Sequence, residues 1–456
     1  MTGTFELSGV PQRATALVGC GLATALLTSA CTGGGSTTAT PDPGGSGTAT
    51  SPSSSDPPGS KRVDLEEPTF SDPTSITNPL FPKARGTQVI QLGAEGDQQL
   101  RFEVTLLPDT KTIEWNGQQI ETRVDQFVAY GDGRILEVAV DFYAQADDGA
   151  VWYFGEDVFN YQKGVVHDNE GTWLAGKDGP PGMIMPGDPK VGDVYRPENI
   201  PGKVFEEVTV KGLDAPVDGP QGPISGLLIQ ERLLDGTLED KVFAPDYGEF
   251  RAQVKTEDEL YNLAVAVPPD GRGNRVPGEL SDLWTGATDL YRGAGSDPKQ
   301  LSARLDGMSG AWASYRRGDV PPLLETQMSD ALKALELAVG DAGPPAGVRQ
   351  DAIDAGQAVL DLQLQYRTPS DVDLDRLALW SRQLEVDAAA GRSAGVVGDV
   401  AILKAIWDRM DHTLTGAEAE PVKTDLDELQ AAADEADLNG AADIARSFES
   451  RLAGLS

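Results

Sequence analysis

Between Gly86 and about Val267, apolar and polar residues alternate with period two, punctuated by Gly, Asp and Pro. In the run Arg101 to Leu106, the apolar Phe102, Val104 and Leu106 alternate with Arg101, Glu103 and Thr105. Leu136, Val138, Val140 and Phe142 repeat the pattern opposite Glu137 and Asp141. Further strands are predicted at 87–92, 121–130, 150–154, 203–211, 224–233, 239–244 and 249–255. Asn116-Gly117, Asp132-Gly133, Asp148-Gly149 and Asp235-Gly236 fall between runs and are dipeptides that type I′ hairpins favour. One-sided alternation predicts antiparallel sheet with one face wet. That many short strands imply a sandwich or a curved, barrel-like sheet.

After Pro277 the period changes to that of a helix. Starts are marked at Asp297-Pro298, Pro321-Pro322, Pro344-Pro345 and Thr368-Pro369, because proline suits a first turn whose N–H has no partner. Gly340, Gly391 and Gly440 are expected at C-terminal caps or turns. Seven or eight helices are predicted between residues 278 and 454. The segments 346–367 and 371–388 carry apolar residues on more than one face, which places them centrally.

The N-terminus reads differently. Ala14 to Ala30 is an uncharged run of 17 residues, short for a membrane span, which needs about 20. Ser29 and Ala30 precede Cys31 and then Gly-rich sequence, a pattern similar to a bacterial lipobox, in which the cysteine takes a diacylglycerol and becomes the mature N-terminus. Cys20, the other cysteine, would leave with the signal peptide, so no thiol remains for a disulfide. Residues 32–60 are almost wholly Gly, Ser, Thr, Pro, Ala and Asp, a composition that cannot bury a core. The expected organisation is a signal peptide at 1–31 and a tether at 32–65, then an antiparallel β domain at 66–270 and an all-α helical bundle at 278–456. The fold class is α+β.

Composition narrows the chemistry. Asp and Glu number 72 against 37 Lys and Arg, a formal charge of −35, which repels nucleic-acid phosphates. With 2 His and 2 Cys, zinc clusters and haem attachment motifs are excluded. No Walker loop, dinucleotide GxGxxG, GxSxG elbow or HExxH occurs, and no cofactor or metal is expected.

The remaining candidates each carry a plainer explanation. Trp152, Tyr153, Glu156 and Asp157 set aromatics beside carboxylates, as sugar-binding and sugar-cleaving sites do. Adjacent Glu156 and Asp157 face opposite sides of a strand, so they are not by themselves a catalytic pair, and a core strand explains Trp152 and Phe154. His167, near Asp168 and Glu170, suits acid–base work or equally a hairpin tip. His412 lies one turn after Asp408, yet points away from the stripe of Leu403, Ile406, Trp407 and Met410 and reads as a surface residue. Asp371, Asp373 and Asp375 mimic a calcium loop but follow Pro369 at a helix start, where capping explains them. Met183 and Met185, in a Gly/Pro loop at 176–189, read as a hydrophobic plug over the sheet.

Several of these segments also carry a resemblance. Ile76–Pro82, Asp141–Gln145, Val151–Asp157, Gly171–Gly176, Ile184–Pro189 and Phe243–Gly248 together resemble a family of uncharacterised actinobacterial secreted proteins and lipoproteins. Leu360–Arg367, Leu379–Ala388 and Gly398–Leu403 look like a helical domain from the same kind of organism. The resemblance implies export and brings no activity. The expected function is that of a lipid-anchored protein on the extracytoplasmic face of the cell membrane. It would act as a non-catalytic envelope accessory or ligand-binding protein, with possible ligand contacts at Trp152, Tyr153, Glu156, Asp157, His167 and Glu170. Its expected partners are the membrane, through the lipid at Cys31, and an envelope component or small ligand. The alternatives are an envelope glycan hydrolase and an acidic cation-binding protein.

Overall fold

Two of the four predicted dipeptides form the tight hairpin turns expected, whereas at Asp148-Gly149 and Asp235-Gly236 only the glycine has positive φ and the connections are longer. Asn116-Gly117 and Asp132-Gly133 take positive φ at both residues (50° and 72°, 49° and 69°), the conformation a two-residue type I′ turn requires. In the computed structural model the described residues are 61–455, except 85, 274, 341 and 342, and upstream only a backbone pairing of Val18–Gly19 with Leu22–Ala23. The signal peptide, Cys31 and nearly all of the tether lie outside the described residues.

Fifteen strands form one sheet. They are β1 (Lys61–Arg62), β2 (Gln88–Glu95), β3 (Gln98–Trp115), β4 (Gln118–Gly131), β5 (Arg134–Gln145), β6 (Val151–Gln162), β7 (Val165–Asp168) and β8 (Trp173–Leu174). The rest are β9 (Gly182–Met185), β10 (Asp193–Ile200), β11 (Val204–Gly219), β12 (Gly222–Leu233), β13 (Leu238–Ala244), β14 (Gly248–Val254) and β15 (Glu259–Val267). Their order is β8-β6-β5-β4-β3-β2-β15-β14-β13-β12-β11-β10-β1, with β7 and β9 also paired to β6. Pairing begins at Lys61, inside the span read as tether, where β1 runs parallel to β10. The loop expected at 176–189 contains strand β9, which its Gly and Pro residues hide from a period-two reading.

The sheet curls until its ends meet. On one side β9 pairs with β6. On the other, Gly182 lies so close to the Pro197 carbonyl of β10 that a Cβ there would overlap it. The result is a barrel with an enclosed lumen.

Eight helices follow among the described residues. They are α1 (Gly278–Gly293), α2 (Pro298–Tyr315), α3 (Pro322–Gly340), α4 (Pro345–Gln363), α5 (Pro369–Ala389), α6 (Ser393–Met410), α7 (Gly416–Asp434) and α8 (Leu438–Leu452). Asp297 and Thr368 cap α2 and α5, accepting from the amides of Lys299 and Asp371. Gly440 is no C-cap; it sits in the first turn of α8, its amide bonded to Asp437. Helices α4 and α5 are buried on several faces, as their sequence requires. No described helix is long and apolar enough to cross a membrane.

The helices do not form a separate body. Ile90, Val265 and Val267 of the sheet share a core with α1–α4, and Val128, Tyr130, Ile135 and Val138 share another with α5–α8. Between these cores lies a buried network of three arginines and three carboxylates. Arg101 bonds Asp361 (2.6 Å) and Glu103 (2.7 Å), and Arg376 bonds Asp361 (3.0 Å) and Asp373 (2.8 Å). Arg409 closes the ring onto Asp373 and Glu103, both at 2.7 Å. Charges cancel one for one, which is what makes burial tolerable. Asp373, read from sequence as a helix cap, belongs to this network, and only Asp371 takes part in the cap.

Candidate functional site

Helices cover the outer face of β2–β5, so the polar row of β5 has only the lumen left to it. Glu137 and Asp141 point inward and are each 2% exposed. The expected wet face of this strand is therefore the inside of the barrel. Neighbouring strands repeat the arrangement. Asp125, Asp141 and Glu156 stand directly opposite one another across β4, β5 and β6. Glu198 faces Glu206 across β10 and β11, and Glu231 faces Glu239 across β12 and β13. Like charges in directly paired positions repel, so such ladders demand protons or cations.

One side is served by a cation. Lys241, fully buried, lies 2.8 Å from Glu231, 3.2 Å from Glu239 and 3.7 Å from Glu249. At the barrel seam no ion pair to Glu156 or Glu198 occurs among the described residues, and Lys83 acts on Asp141 from its pair with Asp125. A bulge at Gly155, whose φ of +111° admits only glycine comfortably, lets both Tyr153 and Glu156 face inward. Tyr153 donates to Asp141 (2.8 Å) and Trp173 donates its indole N–H to Glu198 (2.6 Å). Glu156, fully buried, stands directly opposite Asp141 and is raised by the Glu198 charge as well. As a carboxylate neither of its oxygens has a donor; as an acid it donates to one neighbour.

Burial and the neighbouring acids hold these groups protonated. Burial, with the Asp141 charge beside it, pushes Glu137 up to about 8. Burial raises Asp141 to about 7 against the Tyr153 hydrogen bond, and raises Glu198 to about 8. Burial and the Glu198 and Asp141 charges push Glu156 well above the ordinary carboxyl range. A column of aromatic rings runs alongside. Phe81 meets Tyr143 edge-on at 4.9 Å, Tyr143 stacks on Tyr153 at 4.9 Å, and Trp173 meets Tyr153 edge-on at 5.4 Å.

The segments singled out in sequence converge here. Gln145 accepts from the amides of Thr77 and Asn78, and Asn78 donates to the carbonyls of Gly149 and Pro186. This pins the 76–82 segment over the seam and inserts Phe81. Lys83 then pairs with Asp125 at the mouth.

Of the six predicted contact residues, the structure brings Tyr153 and Glu156 together in the lumen. Trp152 is buried on the opposite side of β6. Asp157 faces outward, 3.1 Å from Lys111. His167 is exposed on strand β7, 3.8 Å from Asp168, and Glu170 is exposed in the turn that follows. The six do not form one site. Asp141 and Trp173 lay inside quoted motifs, whereas Glu198 carried no local signal, because only closure of the barrel brings it to Glu156. Among the described residues no three His, Cys, Asp or Glu are disposed to hold a metal ion. No family model and no curated protein matches the chain.

Proposed function

We propose that the chain is an extracytoplasmic lipoprotein, held at the cell membrane through Cys31, that serves the envelope as an accessory or ligand-binding protein and catalyses no reaction. The kinship with actinobacterial secreted proteins and lipoproteins belongs to the same proposal. The observation that supports binding over hydrolysis is the burial of the inward carboxyls. A glycosidase needs two carboxyls roughly 5–10 Å apart flanking a bond that substrate can reach. Glu156, Asp141 and Glu198 are instead all buried where substrate does not reach, and Asp157 and Glu170 lie on the outside.

Two measurements test this. The full chain incubated with purified cell-wall glycan is expected to release no reducing ends. Release that disappears in Glu156→Gln would overturn the binding proposal in favour of a hydrolase. The anchor is tested separately: Cys31→Ala is expected to move the protein from the membrane fraction to the medium. Retention of the variant at the membrane would remove the lipid from the account.

A further inference from the structure

A cleft lies outside the barrel, where the β11–β12 hairpin, strands β14 and β15 and the start of α3 meet. Its volume is about 440 Å³, within the range that small-molecule sites occupy. Most of the wall is apolar, made by Pro216, Val217, Leu263, Ala264, Pro322 and Leu323. Two polar side chains enter it, Arg251 and Asn262, which are directly opposite across β14 and β15 and so project on the same face.

Arg251 is out of keeping with its surroundings. The chain has 72 acids for 37 bases, and Lys241 and the three interface arginines each sit between carboxylates, whereas Arg251 has no ion pair among the described residues. Arg251 is half-buried, its Nε is wholly so, and that atom has no hydrogen-bond partner among the described residues. Leaving such a donor unmade is costly, and a planar two-oxygen acceptor recovers that cost through the guanidinium fork. The first turn of α3 forms the adjacent wall, and its unpaired amides add partial positive charge on that side. Asp218 lies at the rim and is exposed. A single negative charge tolerates it; a polyanion would be repelled.

We propose that this cleft binds a small monocarboxylate with an apolar body, its carboxylate on Arg251 and Asn262 and its body against Pro216 and Leu323. The proposal goes beyond the envelope-binding reading and does not depend on the lumen. Calorimetric titration of the full chain with sodium hexanoate, hexanol and hexylammonium tests it. Hexanoate is expected to bind at least tenfold more tightly than hexanol, and hexylammonium not at all. Arg251→Gln is expected to weaken hexanoate at least tenfold and leave hexanol unchanged. Leu323→Trp, a filling change at a partly exposed helix position, should abolish binding of both even if Arg251→Gln fails to fold. Equal affinity for hexanoate and hexanol, retention of hexanoate binding in either variant, or no binding at millimolar concentration would overturn it.

Discussion

Replacing Arg376 by Met is expected to cost about 3–5 kcal/mol of stability, the usual penalty for removing one member of a buried ion cluster. Arg376 has no exposed surface, and neither does Asp361. Its loss leaves three acids facing two arginines in the space between sheet and helices. Burial alone would raise Glu103, yet the guanidinium groups of Arg409 and Arg101 hold it well below the ordinary carboxyl range, so it stays charged. Asp361 is held down likewise, against burial, by Arg101 and Arg376. The excess negative charge in Arg376→Met therefore cannot be shed cheaply by protonation near neutral pH. A second change, Asp361→Asn, restores neutrality and is expected to recover part of the loss. Urea unfolding followed by both tryptophan fluorescence and helical circular dichroism measures this. The two probes should report one transition in wild type, because Arg101 and Glu103 come from the barrel and the other four from the helices. A loss under 1 kcal/mol, or no recovery in the double variant, would mean that the network does not join the two layers.

That junction marks where sequence reasoning succeeded and where it stopped. The alternation at Phe102, Val104 and Leu106 was legible because period two depends only on the strand itself. The Asn116-Gly117 and Asp132-Gly133 turns were legible because their backbone needs are local. Thr368-Pro369 marked a helix start for the same reason. What failed was the assumption that a polar row faces water. Arg101 and Glu103 face the helices, while Glu137 and Asp141 face the lumen, and nothing within either strand distinguishes the two cases from a wet surface. The meaning of those letters is set by what covers each face, which is decided by partners more than a hundred residues away. The formal charge of −35 is reinterpreted accordingly: part of it is folded into the barrel, where burial keeps Glu137, Glu156 and Glu198 protonated, rather than spread over a solvated surface.

Those buried acids make stability fall as pH rises. In the unfolded chain Glu137 releases its proton near 4.5, whereas burial in the folded barrel holds it up to about 8. Between these values the folded state binds more protons than the unfolded one, so unfolding is favoured by alkali; below 4.5 the penalty vanishes. Each pH unit crossed in that window costs about 1.4 kcal/mol for one such group, or about 2.7 kcal/mol between pH 5 and 7. Glu198, raised to about 8, and Asp141, raised to about 7, add in the same direction. The interface acids work the other way. Glu103 and Asp361 are depressed, so the stability they contribute is present above their unfolded values and is lost on strong acidification. A maximum near pH 5 follows. The melting temperature is expected to fall by at least about 3 °C from pH 5 to pH 7, the shift that 2.7 kcal/mol produces at about 2.1 cal/mol/K per residue in a chain of 456 residues. Glu137→Gln removes one proton from the balance without removing a buried polar contact, so it should flatten the curve and melt higher than wild type at pH 7.5. A melting temperature that is flat or rises across that window would show the lumen carboxyls to be ionised and compensated in solution. In that case a bound cation, rather than protons, would have to neutralise the seam between Asp141, Glu156 and Glu198.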